Sequence, residues 1–274
     1  MRTKLALLAM LPLAGVLIAV LAANGSHTAP QAVTTLEMKD MTSEDVAGVI
    51  KGGATTVIVP TGGIEQNGPH MVLAKHDYIV GHAARQIAGQ LGRTVVAPIV
   101  SFVPEGNFEP ASGNMLYAGT IGISEAAFAG VLEGIATSLK MAGFKLICFV
   151  GDHGQSQAVQ KAVAERLSKA WSQAGVRVVH VDAYYDDTAQ NRRLLAEGHS
   201  EKSIGFHAGL IDTAELLAVH PAGVDLTRDR KGSLFDITGA SGEPSRATPE
   251  LGRVLIEMRI KAAIAQIRPL MQAP

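Results

Sequence analysis

Apolar and polar residues alternate along the chain in two distinct rhythms from about residue 36 onward. Short runs rich in β-branched residues are typical of buried strands, and they fall at residues 55–59, 95–100, 145–150 and 176–181. Longer stretches with apolar positions at helical spacing fall at residues 43–52, 77–91, 124–142 and 155–174. This repeated order of strand and helix predicts an α/β fold, a single layered α/β/α domain with a mostly parallel sheet.

The first 23 residues follow a different pattern. Arg2 and Lys4 precede an uncharged run from Leu5 to Ala23, and polar residues follow it. This order is typical of a secretory signal, so we predict a signal peptide at residues 1–23, a linker at 24–35 and the folded domain at 36–274. The predicted location is therefore secreted or periplasmic. An uncleaved run could instead anchor the chain, which would be its only contact with a membrane.

Composition narrows the function classes. Lys and Arg number 24 against 25 for Asp and Glu, and no basic stripe stands out, so nucleic acid is not an expected partner. The single cysteine, Cys148, lies in an apolar run and can form no internal disulfide. We interpret it as a small residue of the core.

Metal-binding residue types follow the first predicted strand. The loop after it reads PTGGIEQNGPHMVLAKHD and contains Glu65, His70, His76 and Asp77. Carboxylates and imidazoles bind divalent ions at neutral pH, so this loop is a candidate metal site. A hydrogen-bonded turn without an ion is the alternative for this segment alone.

A second group follows the third predicted strand. His153 stands there between Gly151 and Gly154. Ligands of open α/β sheets bind beyond the carboxyl ends of the strands, so we expect His153 and Glu65 at the same sheet edge.

Five segments, in order along the chain, resemble the creatininase family of metal-dependent amidohydrolases. Their sequences are GGIEQNGPHMVLAKHD at 62–77, GNFEPASGNMLYAGTIGIS at 106–124, LICFVGDHGQS at 146–156, HAGLIDTAELL at 207–217 and GASGEPSRATPELG at 239–252. Together they extend over nearly the whole chain after residue 36. The resemblance implies a creatininase-like fold, hydrolysis of C–N bonds in small or cyclic amides, and a homo-oligomer.

The resemblance also implies a set of metal ligands. Glu65, Asp77 and His153 match the family's ligands, with Zn or Mn as the expected ion. Asn67 stands where the family has a ligand His, and Gln155 where creatininase has a ligand Glu, so we expect one ion rather than two. In creatininase the ligand Asp follows the ligand Glu by eleven positions, whereas Asp77 follows Glu65 by one more.

Other candidates have supporting roles. The residues that could add a ligand or support the site are Asn67, His70, His76, Gln155 and Asp212. The resemblance assigns catalytic roles to His207 and His153 and places Gly154 and Phe206 beside the substrate. Because Phe206 stands where creatininase has a substrate-binding Glu, creatinine itself is not the expected substrate.

These observations lead to a function hypothesis with two alternatives. The leading hypothesis is an exported metal-dependent hydrolase of a small, linear or cyclic, amide. The first alternative is a non-catalytic protein of the same fold that binds a small ligand. It is motivated by Asn67, Asn114 and Gln155, each of which replaces a group that ionises or binds metal strongly. The second alternative is a purely structural metal site.

Overall fold

A computed structural model describes residues 36–229 and 235–271 of the chain, without the side chains of 236 and 237. The predicted signal peptide and linker lie outside these residues. Within the described ranges, no helix is both long enough and apolar enough to cross a membrane.

The predicted strands form one parallel sheet. The strands are β1 (Thr56–Thr61), β2 (Thr94–Val96), β3 (Leu146–Gly151) and β4 (Arg177–His180). Their order in the sheet is β2-β1-β3-β4, and every neighbouring pair is parallel. The prediction of a mostly parallel α/β fold is therefore confirmed. β2 is shorter than predicted because the ladder loses its regular register after Ala97: Ala97 N–H donates to Ile58, and the next bond to β1 comes from Val100 N–H to Pro60.

Helices connect and cover these strands. They are α1 (Ser43–Lys51), α2 (Lys75–Leu91), α3 (Glu125–Ala142), α4 (Gln157–Ala170), α5 (Asp182–Tyr185), α6 (Thr188–Ala196), α7 (Glu201–Ile204), α8 (Leu210–Val219), α9 (Phe235–Thr238) and α10 (Pro249–Met271). The four helices predicted from periodicity correspond to α1, α2, α3 and α4. The fourth prediction was too long, because 3-10 turns at Gly154–Ser156 and Ser172–Ala174 flank α4.

The alternation of side chains along the strands separates two apolar layers. Ile58 and Cys148 face the layer that contains α2, α8 and α10. Val57 and Ile147 face the opposite layer, which contains α3 and α4. Cys148 is fully buried, as the sequence predicted, and burial raises the pKa of its thiol to about 12.

Candidate metal centre and active site

Three buried side chains with metal-binding atoms meet at the carboxyl edge of the sheet. They are Glu65 in the loop after β1, His76 in the first turn of α2, and His153 directly after β3. One ligand atom from each lies within 4.8 Å of the others. β1 and β3 are neighbours with Thr61 opposite Gly151, so both loops leave the sheet at the same level. The structure thus brings Glu65 and His153 together as the sequence predicted.

Asp77 points away from this group, contrary to the predicted ligand set. Its Oδ1 accepts a hydrogen bond from the backbone N–H of Gly63 at 3.1 Å, and its Oδ2 accepts one from Ser101 Oγ at 2.5 Å. A side chain at Gly62 would overlap Asp77, so the glycine makes this close packing feasible. Asp77 ties the loop to α2 and to the segment after β2.

His76 occupies the place that was predicted for Asp77. It stands eleven positions after Glu65, which is the spacing of the creatininase ligand Asp. That spacing was the signal in the sequence. The residue type and the spacing therefore select different neighbours, and the structure turns His76 rather than Asp77 toward Glu65.

A chain of polar contacts fixes the orientation of the His76 ring. Its Nε2 lies 2.7 Å from Glu65 Oε1 and its Nδ1 lies 2.7 Å from Asp152 Oδ2. Asp152 in turn contacts Arg259 at 2.7 Å and accepts a hydrogen bond from the Tyr184 hydroxyl at 3.0 Å. A carboxylate behind an imidazole fixes the ring and increases the basicity of the other nitrogen. His76 is therefore held with Nε2 directed into the centre.

His153 lies between two carboxylates, one of which the sequence did not suggest. Its Nε2 lies 3.1 Å from Glu65 Oε2 and 3.0 Å from Glu105 Oε2. Burial alone would lower the pKa of His153, but the hydrogen bonds to Glu105 and Glu65 raise it to about 9. Glu105 is fully buried, and its Oε1 has no hydrogen-bond partner. Glu105 stands just before the second resembling segment, and no local pattern in the sequence marks it.

Amide side chains hold the acids and the loop in place. Asn114 Nδ2 donates hydrogen bonds to Glu65 and Glu105. Asn67 Nδ2 donates to the backbone carbonyls of Glu65, Val72 and Leu73 at 3.0, 3.0 and 3.3 Å. These hydrogen bonds from Asn67 hold the two sides of the loop together and so support the position of Glu65.

A buried lysine lies against the same centre. Lys75 Nζ is 2.9 Å from Asp212 Oδ2 and 3.3 Å from Glu65 Oε1, and its side chain is 1% exposed. Burial would lower the pKa of Lys75, but the charges of Asp212 and Glu65 hold it above its usual range. Burial would likewise raise the pKa of Asp212, and the charge of Lys75 holds it below its usual range. Asp212, a predicted extra ligand, is therefore an ion-pair partner of Lys75.

His207 lies on the other side of Glu65, next to open space. Its Nε2 is 3.0 Å from the backbone carbonyl oxygen of Gln66, and its Nδ1 is 3.8 Å from Glu65 Oε1. Burial and the charge of Lys75 lower the pKa of His207. A neutral imidazole at this position can accept a proton.

An open cavity of about 280 Å³ connects the centre to solvent. Its lining includes Gly154, Gln155, Phe206 and His207 together with the three candidate ligands. Phe206 is 77% exposed, with its ring 5.1 Å from that of Phe235. His70, another predicted extra ligand, lies apart from the cavity and contacts Thr213 Oγ1 at 3.1 Å.

The residues present fit a divalent ion. The Nε2 of His153 lies between two buried carboxylates, which favour a positive charge at this point. The unpartnered Oε1 of Glu105 is a second indication that the centre can take more positive charge. One carboxylate and two imidazoles, with space on the cavity side, form a donor set typical of catalytic zinc.

Comparisons with known proteins assign the chain to a family. Residues 39–267 match the sequence profile of the creatininase family, described as creatinine amidohydrolase. The creatinine amidohydrolase of Pseudomonas putida is 23% identical over 194 residues, covering 69% of this chain and 74% of that protein. The mycofactocin precursor peptide peptidase of Mycolicibacterium smegmatis is 28% identical over 218 residues, covering 74% of this chain and 80% of that protein.

A solved structure shares the fold. A mutant creatininase described as the Zn-Zn type superposes with a TM-score of 0.72 at 19% identity, covering 87% of this chain and 99% of that one. The family match extends over well more than half of the chain, and the candidate centre lies inside it. The chain is a member of the creatininase family of hydrolases.

Proposed function

We propose that the chain is a metal-dependent amidohydrolase that uses one divalent ion, zinc or manganese, to cleave a C–N bond in a small, linear or cyclic, amide. The observation that carries the proposal is the convergence of Glu65, His76 and His153 within 4.8 Å beside an open cavity. A structural zinc site would typically close its fourth position with a further protein ligand. Here the fourth side faces space for a substrate.

Different residues of the chain would bind the ion, orient its ligands and transfer a proton. An ion held by Glu65, His76 and His153 would supply Lewis acidity toward a carbonyl oxygen and toward water. Asp152 and Arg259 keep His76 oriented, and Asn114 holds Glu65. His207, neutral because its pKa is lowered, would accept a proton at Nδ1 and deliver it to the departing nitrogen.

The cavity wall favours an uncharged, flat or apolar substrate group. Phe206 and Phe235 form an aromatic pair beside His207, whose ring lies 5.6 Å from Phe235. An acidic residue at position 206 would favour a cation through a full negative charge, whereas a phenyl ring offers mainly apolar and stacking contact. This supports an amide other than creatinine.

The rest of the proposal concerns the setting of the reaction. The basic start and apolar run at residues 1–23 support export to the periplasm or beyond, with the ion acquired there. Membership of the family supports a homo-oligomer. N-terminal sequencing of the mature protein and its mass in solution test these two points.

A non-catalytic, ligand-binding role is the second candidate, and one observation favours it. Acids of the centre already have partners without an ion, because Lys75 contacts Glu65 and His153 lies between Glu65 and Glu105. A protein that had lost its ion would keep such contacts. Metal content separates the two roles, since a metal-free chain purified without chelator supports the ligand-binding role.

The test combines metal analysis with a panel of small amides and lactams. We expect about one ion per chain in the wild type, loss of both ion and turnover in His153→Ala, and loss of turnover alone in His207→Ala. His82→Ala is the matched control, because His82 lies on α2 away from the cavity lining. If His207→Ala also empties the site, the role of His207 is wrong. Unchanged turnover in both variants overturns the proposed function.

A further inference from the structure

The most unusual side chain near the centre is Lys75. Among the described residues, one lysine and one arginine are buried, Lys75 and Arg259. Arg259 is matched by acids behind the centre, Asp152 and Glu215, both at 2.7 Å. Lys75 instead contacts the candidate ligand Glu65 directly, at 3.3 Å.

The position of Lys75 has two costs that local structure does not explain. Lys75 is the first residue of α2, where the positive end of the helix dipole disfavours a cation. Burying an ammonium is also unfavourable unless acids pair with it. A residue that violates local preferences in this way is expected at a functional site.

The surroundings of Lys75 are those of a cation site. Its Nζ lies between a carboxylate oxygen of the candidate ligand Glu65 and one of Asp212, which also accepts a hydrogen bond from the backbone N–H of Ala208. These contacts use two of the three hydrogens of the ammonium. Lys75 also lines the cavity.

We propose that the ammonium of Lys75 stands in for a second metal ion, so that the centre combines one divalent ion with one fixed organic cation. This inference rests on the proposed function. The related creatininase mutant is described as the Zn-Zn type. In this chain, Asn67 and Gln155 offer only weak neutral donors, and Lys75 supplies positive charge without needing ligands.

The proposal predicts how many ions each variant holds. We expect one Zn²⁺ per chain in the wild type and in Lys75→Arg after saturation with Zn²⁺ and gel filtration. Lys75→Gln removes the charge and takes the ammonium partner away from Asp212 and from one oxygen of Glu65. We expect it to bind a second Zn²⁺, or the first at least tenfold more tightly, because an ammonium a few ångströms away repels an incoming ion. Lys161→Gln, the same change on the exposed face of α4, is the control and should behave as the wild type.

A second variant keeps the test decisive if Lys75→Gln does not fold. Gln155→Glu places a carboxylate at a cavity-lining, exposed position and leaves the ammonium intact. We expect it to hold one ion, because the ammonium still occupies the place of the second. Two ions in the wild type or in Gln155→Glu alone would overturn the role of Lys75. An unchanged ion count and an unchanged ion affinity in a folded Lys75→Gln variant would also overturn the role of Lys75.

The outcomes also separate this inference from the function on which it rests. No ion in any variant, including the wild type, overturns the proposed metal-dependent hydrolase and this inference together. One ion and turnover in the wild type, with no effect of the Lys75 charge on ion binding, overturns only the inference. Thermal unfolding with added Zn²⁺ provides an independent measurement, since Lys75→Gln should gain more stability from the ion than the wild type does.

Discussion

At the scale of single residues, adjacent side chains at the start of α2 point in different directions. Lys75 and His76 turn inward to Glu65, whereas Asp77 turns to the backbone of Gly63 and to Ser101. Consecutive helical positions point about 100° apart, so one register error moves a residue out of the centre. Residue type alone therefore could not choose between His76 and Asp77.

The first prediction separates these two neighbours. His76→Ala should lose the ion, because it removes an imidazole from the group of three. Asp77→Asn should keep about one ion per chain, because the amide oxygen can still accept the hydrogen bond from Gly63. Metal analysis of both purified variants, with circular dichroism as the folding control, checks this. An empty site in a folded Asp77→Asn would restore Asp77 as a ligand.

At the scale of elements, the contact of α8 with α10 depends on the absence of a side chain. A Cβ on Gly252 would overlap the backbone carbonyl oxygen of Ala214. The two helices therefore approach each other at their backbones. This contact places Arg259 of α10 where it reaches Asp152 and Glu215.

The second prediction compares two helical glycines. Gly252→Ala should lower the free energy of unfolding by about 1–3 kcal/mol, because the helices must move apart. Gly134→Ala on α3 is the matched control, since a Cβ there meets nothing within 4 Å. It should raise stability by about 0.5–1 kcal/mol, because alanine favours the helix. Chemical denaturation measures both changes, and equal effects would contradict the close approach of the helices.

The sequence predicted elements better than it predicted contacts. Periodicity located β1, β3, β4 and the helices around them, because burial on one or two faces fixes that pattern locally. The chain order also placed Glu65 and His153 at one sheet edge. Glu105 and Arg259 could not be found in this way, because each reaches the centre through tertiary packing that no local pattern records.

At the scale of the whole molecule, the centre concentrates charge in the interior. Burial would raise the pKa of Asp152, but the charge of Arg259 outweighs it and holds the value below the usual range. Burial would also raise the pKa of Glu65, and Lys75 and His76 lower it well below its usual value. The folded chain therefore binds fewer protons at these acids than the unfolded chain does in mild acid.

The third prediction follows from the sign of these shifts. Groups with a lowered folded pKa stabilise the fold above their ordinary values and lose that contribution as the pH falls through the folded pKa. We expect the free energy of unfolding of the metal-free protein, prepared with a chelator, to decrease steadily as the pH drops below about 4.5. This is near the ordinary pKa range of carboxylates. Asp152→Asn should flatten this slope. An acid profile that is the same in both proteins would contradict the role of the Asp152–Arg259 pair.

The link from His76 through Asp152 to Arg259 has a consequence for biosynthesis. A ribosome makes Glu65, His76 and His153 well before it makes Arg259, so a nascent chain carries the three candidate ligands while the cation that steadies Asp152 is still missing. The centre can reach its final geometry only after α10 has been translated and has docked. Under the proposed function, an ion would therefore load late in the life of the chain, and the compartment in which folding finishes would decide which ion it meets.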